Sequence, residues 1–96
     1  MPVYTTGYVG GTLVNIKTAT TTLVKTGPGT LFSISVNKGG AGSDMKIYDG
    51  IDATGTLLGT FSTTAQTFLP LGWSFLVGLC IVTEAGTAAD ITVTYA

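Results

Sequence analysis

Histidine and arginine are absent from these 96 residues, cysteine occurs once, and charged side chains make up only 9% of the chain. Each shortage removes a class of function. Without an imidazole, neither a Ser-His-Asp nor a Cys-His arrangement can be assembled. The four lysines, Lys17, Lys25, Lys38 and Lys46, are scattered. Nucleic-acid binding needs clustered cations, so no nucleic-acid partner is expected. Cys80 alone cannot build an internal disulfide framework; within Leu79–Val82 it is expected as a small buried hydrophobe. No run reaches the roughly 18 apolar residues of a membrane helix. Phe68–Val82 comes nearest and is interrupted by Pro70, Gly72, Ser74 and Gly78. The opening Met1–Gly7 has neither the basic residues nor the apolar core of a signal peptide, so no membrane partner and no secretory leader are expected.

What is present is apolar and threonine-rich. Hydrophobic residues are 45% of the chain, the net charge is −1 and the mean hydropathy is +0.51. β-branched threonine suits the solvent face of a pleated sheet. A free soluble monomer usually carries more charge, so much of this surface is expected to meet other protein. The alternative is a threonine-rich secreted monomer. At 9.8 kDa the chain makes one domain, whose fold buries roughly two-thirds of the unfolded chain's surface. Met1–Gly11 reads as an extended N-terminal arm carrying Tyr4 and Tyr8, with a disordered tail or a first edge strand as the alternatives, and residues 12–96 as a single β-sandwich domain.

Strand signals recur along that domain. Phe32, Ile34 and Val36 alternate with Ser33, Ser35 and Asn37, the period of a strand with one buried face. Glycine-rich Lys38–Ser43 follows, and in Asp44–Asp49 Met45 and Ile47 fall opposite Lys46 and Tyr48. Two alternating runs joined by a short glycine loop predict an antiparallel hairpin, its glycines at positive φ. Thr12–Lys17, Thr21–Thr26, Thr56–Ser62, Leu79–Thr83 and Asp90–Ala96 read as further strands. Gln66–Leu71 and Trp73–Val77 read as apolar segments separated by Pro70 and Gly72. Gly27-Pro28-Gly29 marks a turn, and Gly59 a bulge or a close backbone approach. Roughly seven to nine short strands without helical periodicity predict an all-β fold, an antiparallel two-sheet β-sandwich, jelly-roll-like or immunoglobulin-like. The immunoglobulin form loses ground because no cysteine pair flanks Trp73.

The candidate chemistry is sparse. Asp44, Asp49, Asp52, Glu84 and Asp90 all sit beside small or turn-forming residues, so paired-carboxylate hydrolysis yields to ordinary turn formation. Asp49-Gly-Ile-Asp52 does not match a calcium loop, and Gly39-Gly-Ala-Gly42 lacks the ending of a phosphate loop. No catalytic residue, metal or cofactor is expected. The richest apolar stretch is Phe68, Leu69, Leu71, Trp73, Phe75 and Leu76. Because Pro70 and Gly72 break its alternation, some of these side chains are expected to point outward, giving a protein interface of Tyr4, Tyr8, Phe68, Leu69, Leu71, Trp73 and Phe75. Core is the other fate for the same residues. A sugar platform on Trp73 lacks a second tryptophan and any His or Arg to fix hydroxyls.

Thr30–Asn37, Lys46–Gly50, Thr54–Gly59, Gly78-Leu79 and Ala85–Tyr95, in that order, resemble small jelly-roll structural proteins of tailed bacteriophages. The likeness covers about two-thirds of the chain, from Gly29 onward, and leaves Met1–Gly11 outside. It is a pattern of strand and turn residues without a catalytic signature. It implies a virion component made in the host cytoplasm: a capsid decoration, or cement, protein that binds the major capsid protein lattice as a homo-oligomer, dimer or trimer. A carbohydrate- or receptor-binding module of a head or tail fibre is the competing expectation.

Overall fold

The structure, a computed structural model, describes residues 11–40, 44–84 and 87–96. The described residues form eight strands: β1 (Thr12–Ile16), β2 (Thr21–Thr26), β3 (Gly29–Lys38), β4 (Asp44–Asp49), β5 (Thr56–Ser62), β6 (Thr67–Phe75), β7 (Gly78–Thr83) and β8 (Asp90–Tyr95). They make two antiparallel four-stranded sheets, ordered β1-β8-β3-β6 and β2-β7-β4-β5. The pairing is nested: first with last, second with seventh, third with sixth, fourth with fifth. This is the jelly-roll arrangement, a two-sheet β-sandwich.

The expected hairpin of the third and fourth strands does not form. β3 and β4 lie in different sheets, and the chain between them crosses from one layer to the other. Gly39 and Gly40 serve that crossing through close approach, because neither has a positive φ. A Cβ on Gly40 would collide with the Thr87 carbonyl, and one on Gly39 with the Thr64 carbonyl. The N–H of Gly40 donates to the carbonyl of Thr63 at 2.8 Å.

The core lies between the sheets. Val14, Val93, Ile34 and Leu69 form one cross-strand row, and Ile47 and Ile81 pair in the opposite layer. With Leu31, Val36, Met45, Phe75, Leu79 and Ile91 they close a continuous apolar interior. Inward alternation on β3 runs Leu31, Ile34, Val36, where the sequence pattern predicts Phe32, Ile34, Val36. The cause is a register shift between Leu31 and Ser33 against both neighbouring strands. A bulge of this kind adds one residue and reverses the facing of what precedes it.

β6 is one strand across the expected break. Gly72 takes φ +64°, a left-handed conformation that lets the strand absorb the irregularity. Pro70, which has no N–H to donate, is tolerated because β6 is an edge strand. Gly59 makes the close approach read from the sequence, since a Cβ there would stand 2.8 Å from Cη2 of Trp73.

Candidate functional site

Three connections meet at one end of the sandwich: the β2–β3 turn at Gly27-Pro28, the β4–β5 loop at Gly50–Gly55, and the β6–β7 turn at Leu76-Val77. Their backbones are laced together. The N–H of Gly27, at φ +85°, donates to the Val77 carbonyl at 2.8 Å, and the N–H of Gly50 donates to the Gly78 carbonyl at 3.0 Å. Asp49, the last residue of β4, adds the strongest tie. Its Oδ1 accepts the N–H of Val77 at 2.8 Å and those of Leu76 and Gly78 at 3.1 and 3.3 Å, while Oδ2 accepts Leu76 at 3.0 Å. These donors hold the carboxyl below the usual carboxylate range, Leu76 and Val77 contributing most.

Asp52 fixes its own loop. Its carboxylate accepts the N–H of Thr54 at 2.9 Å and the Thr54 hydroxyl, an Asx-type turn that also lowers its pKa. A cavity of about 440 Å³ is bounded by Asp49–Asp52, Thr54–Thr56 and Val77. Both acids here are occupied in fixing turns and held ionised, the opposite of what a general acid requires. Among the described residues no three His, Cys, Asp or Glu side chains group as metal ligands.

Holding these turns in place leaves Leu76 at 76%, Ile51 at 58% and Val77 at 57% exposure. Sequence reasoning passes over Ile51 and Val77. The available signal was the pair Leu76-Val77 standing between two strands, where a turn normally carries polar residues.

The expected interface residues scatter. Phe68 is 59% exposed on the outer side of β6. Leu69, Leu71 and Trp73 are half-buried against the core. Phe75 is a core residue with no surface to offer, which corrects its assignment to an interface. The reason is that β6 keeps its alternation, odd-numbered residues facing in, despite Pro70 and Gly72. Trp73 packs on Phe61 of the facing sheet, ring centroids 5.8 Å apart, and is thereby withdrawn from the sugar-platform role. Tyr4 and Tyr8 lie outside the described residues.

Two further polar features flank the opposite end of the sandwich. Asp90 Oδ1 accepts from Asn15 Nδ2 at 2.6 Å and Asn37 Nδ2 at 3.2 Å, which with Lys17 and Lys38 nearby lowers its pKa. Lys46 and Glu84 form an exposed ion pair at 3.0 Å, and the bond to Glu84 raises the Lys46 pKa. Neither protein-family profiles, nor curated protein sequences, nor solved structures match this chain.

Proposed function

We propose that this chain is a non-enzymatic structural protein of a virion, a capsid decoration protein that binds and reinforces a lattice of the major capsid protein. The observation that carries the reading is the pairing of scarce charge with large apolar side chains left in water. Leu13, Leu23, Ile51, Leu57, Phe68, Leu76 and Val77 are all exposed on a domain whose charged residues are 9% of the total. Such a surface is suited to being covered by protein. Contacts built from apolar and hydroxyl groups resist salt, and repetition over a symmetric lattice multiplies weak affinities. The jelly-roll order of the strands agrees with the fold that the resemblance to phage structural proteins implies. A glycan-binding module needs an aromatic platform, and Trp73 is turned to the interior.

Mass spectrometry of purified particles tests the proposal. Copy numbers comparable to those of the capsid protein are expected; absence from particles, or a handful of copies per particle, overturns it.

A further inference from the structure

Each layer of the sandwich ends in two strands that have no further strand beside them among the described residues: β1 and β6 in one, β2 and β5 in the other. A free edge is a template for further pairing, and folded proteins protect it with bulges, prolines or lysines. Three of these four edges are protected. On β6, Pro70 withholds an N–H, and the register against β3 slips between Trp73 and Pro70. On β2, Val24 is an extra residue opposite β7, and Lys25 follows it. On β5, Leu58 is the extra residue opposite β4. β1 has none of these devices. Thr12–Ile16 pairs with β8 residue for residue, without a shift, and holds neither proline nor charge. Asn15 turns its amide back onto β8, donating to the Ile91 carbonyl at 2.8 Å and to Asp90 Oδ1 at 2.6 Å. Leu13, on the outer side of the same strand, is 67% exposed.

We infer that β1 is a dimerisation edge, pairing antiparallel with β1 of a second copy about a two-fold axis, so that two β1-β8-β3-β6 layers become one eight-stranded sheet. Edge protection acts against the partner that is always at hand, another copy of the same chain. Its absence from one edge alone points to that partner. The count of unprotected edges also sets the stoichiometry. A two-fold joint uses the one open edge of each copy and leaves β6, with Pro70, at both ends of the joined sheet, so growth stops at two chains. Directly opposed residues of an antiparallel pair share a face. An axis through Leu13 sets the two exposed leucines against each other on the outer face. Thr12 of each copy then stands opposite Val14 of the other on the side that faces the core. The inference is independent of the capsid reading, since it concerns the isolated protein.

Light scattering and sedimentation velocity on the full-length protein test it. Wild type is expected to be a dimer that dissociates on dilution, because a joint of one short strand is small. Leu13→Lys sets like charges opposite one another and is expected to weaken association about tenfold or more. Its far-ultraviolet spectrum is expected to match wild type, since the side chain is exposed. Leu57→Lys, also exposed but on the protected edge β5, is expected to associate like wild type. Under mild oxidation Leu13→Cys is expected to form a disulfide-linked dimer, its two Cα atoms falling within bridging distance, whereas Leu57→Cys forms none. Native Cys80 is buried and contributes no link. A wild-type monomer at every concentration, the outcome if another stretch of the chain or a different protein occupies β1, overturns the inference. So does any other copy number, or a dimer that Leu13→Lys leaves intact or Leu57→Lys dissociates. A Leu13→Cys variant that links no faster than Leu57→Cys overturns it as well.

Discussion

The N–H of Val77 lies 2.8 Å from Oδ1 of Asp49, a bond that joins positions 28 residues apart and ties the end of β4 to the turn that leads into β7. Because the acceptor is ionised, the bond is stronger than a neutral one and is weakened on protonation.

Stability is therefore expected to fall in acid. Asp49, Asp52 and Asp90 all have folded pKa values below the ordinary 3.8, each by accepting hydrogen bonds. The unfolded chain then takes up protons first as pH drops, so their contribution is fully present above the ordinary carboxylate value and disappears as pH falls through the lower folded values. Thermal melts from neutral pH downward are expected to stay level to roughly pH 5 and to decline below it. In Asp49→Asn that decline is expected to be shallower, from a lower starting Tm. A flat acid profile in wild type would contradict the role given to Asp49.

Gly72→Ala is expected to cost about 1–2 kcal/mol, since φ +64° is a left-handed conformation that a Cβ penalises. Open space surrounds the position, so the cost is one of backbone conformation alone. Gly59→Ala is expected to cost about 1–3 kcal/mol for a different reason, the overlap with the Trp73 ring. Urea titration measures both, and near-ultraviolet circular dichroism is expected to register a displaced Trp73 only in Gly59→Ala.

Core and surface aromatics on one strand are expected to separate cleanly. Phe75→Ala empties a buried site and is expected to cost about 3–5 kcal/mol. Phe68→Ser, seven residues earlier on the outer side, is expected to stay within about 0.5 kcal/mol of wild type. Equal losses in denaturant titrations would mean that β6 faces differently from the arrangement described.

Cys80 is fully buried, and burial pushes its thiol pKa up. Ellman's reagent is expected to react at the rate of unfolding and not at that of a free thiol, and to become fast in denaturant. Rapid labelling under native conditions would show that the outer face of β7 opens locally.

Period-two alternation in β4 and β8 reports which side chains face inward, and those strands were readable to within a residue. It does not report which strand lies alongside. Lys38–Ser43 has the length and glycine content of a hairpin loop, yet β3 finds its partners in β6 and β8 because those pairings bury Leu31, Ile34 and Val36 on a common interior. Bulges are equally hidden: nothing in Leu31-Phe32-Ser33 announces that the facing reverses there. The end carrying Ile51, Leu76 and Val77 was legible only in part. Asp49-Gly50 reads as a turn pair, but its hydrogen-bond donors are remote in sequence, and a property set by folding cannot be read from neighbours.

The nesting of the strands has a consequence for synthesis. Thr12 pairs with Tyr95, so β1 waits through synthesis of the seven strands that follow before β8, its neighbour among the described strands, can pair with it. Pairings between positions far apart close slowly. Until β8 emerges, β1 and one edge of β3 stay bare, and a nascent chain stalled or cut before Asp90 would hold the strands of one layer, β2-β7-β4-β5, with the layer that covers its apolar face left incomplete.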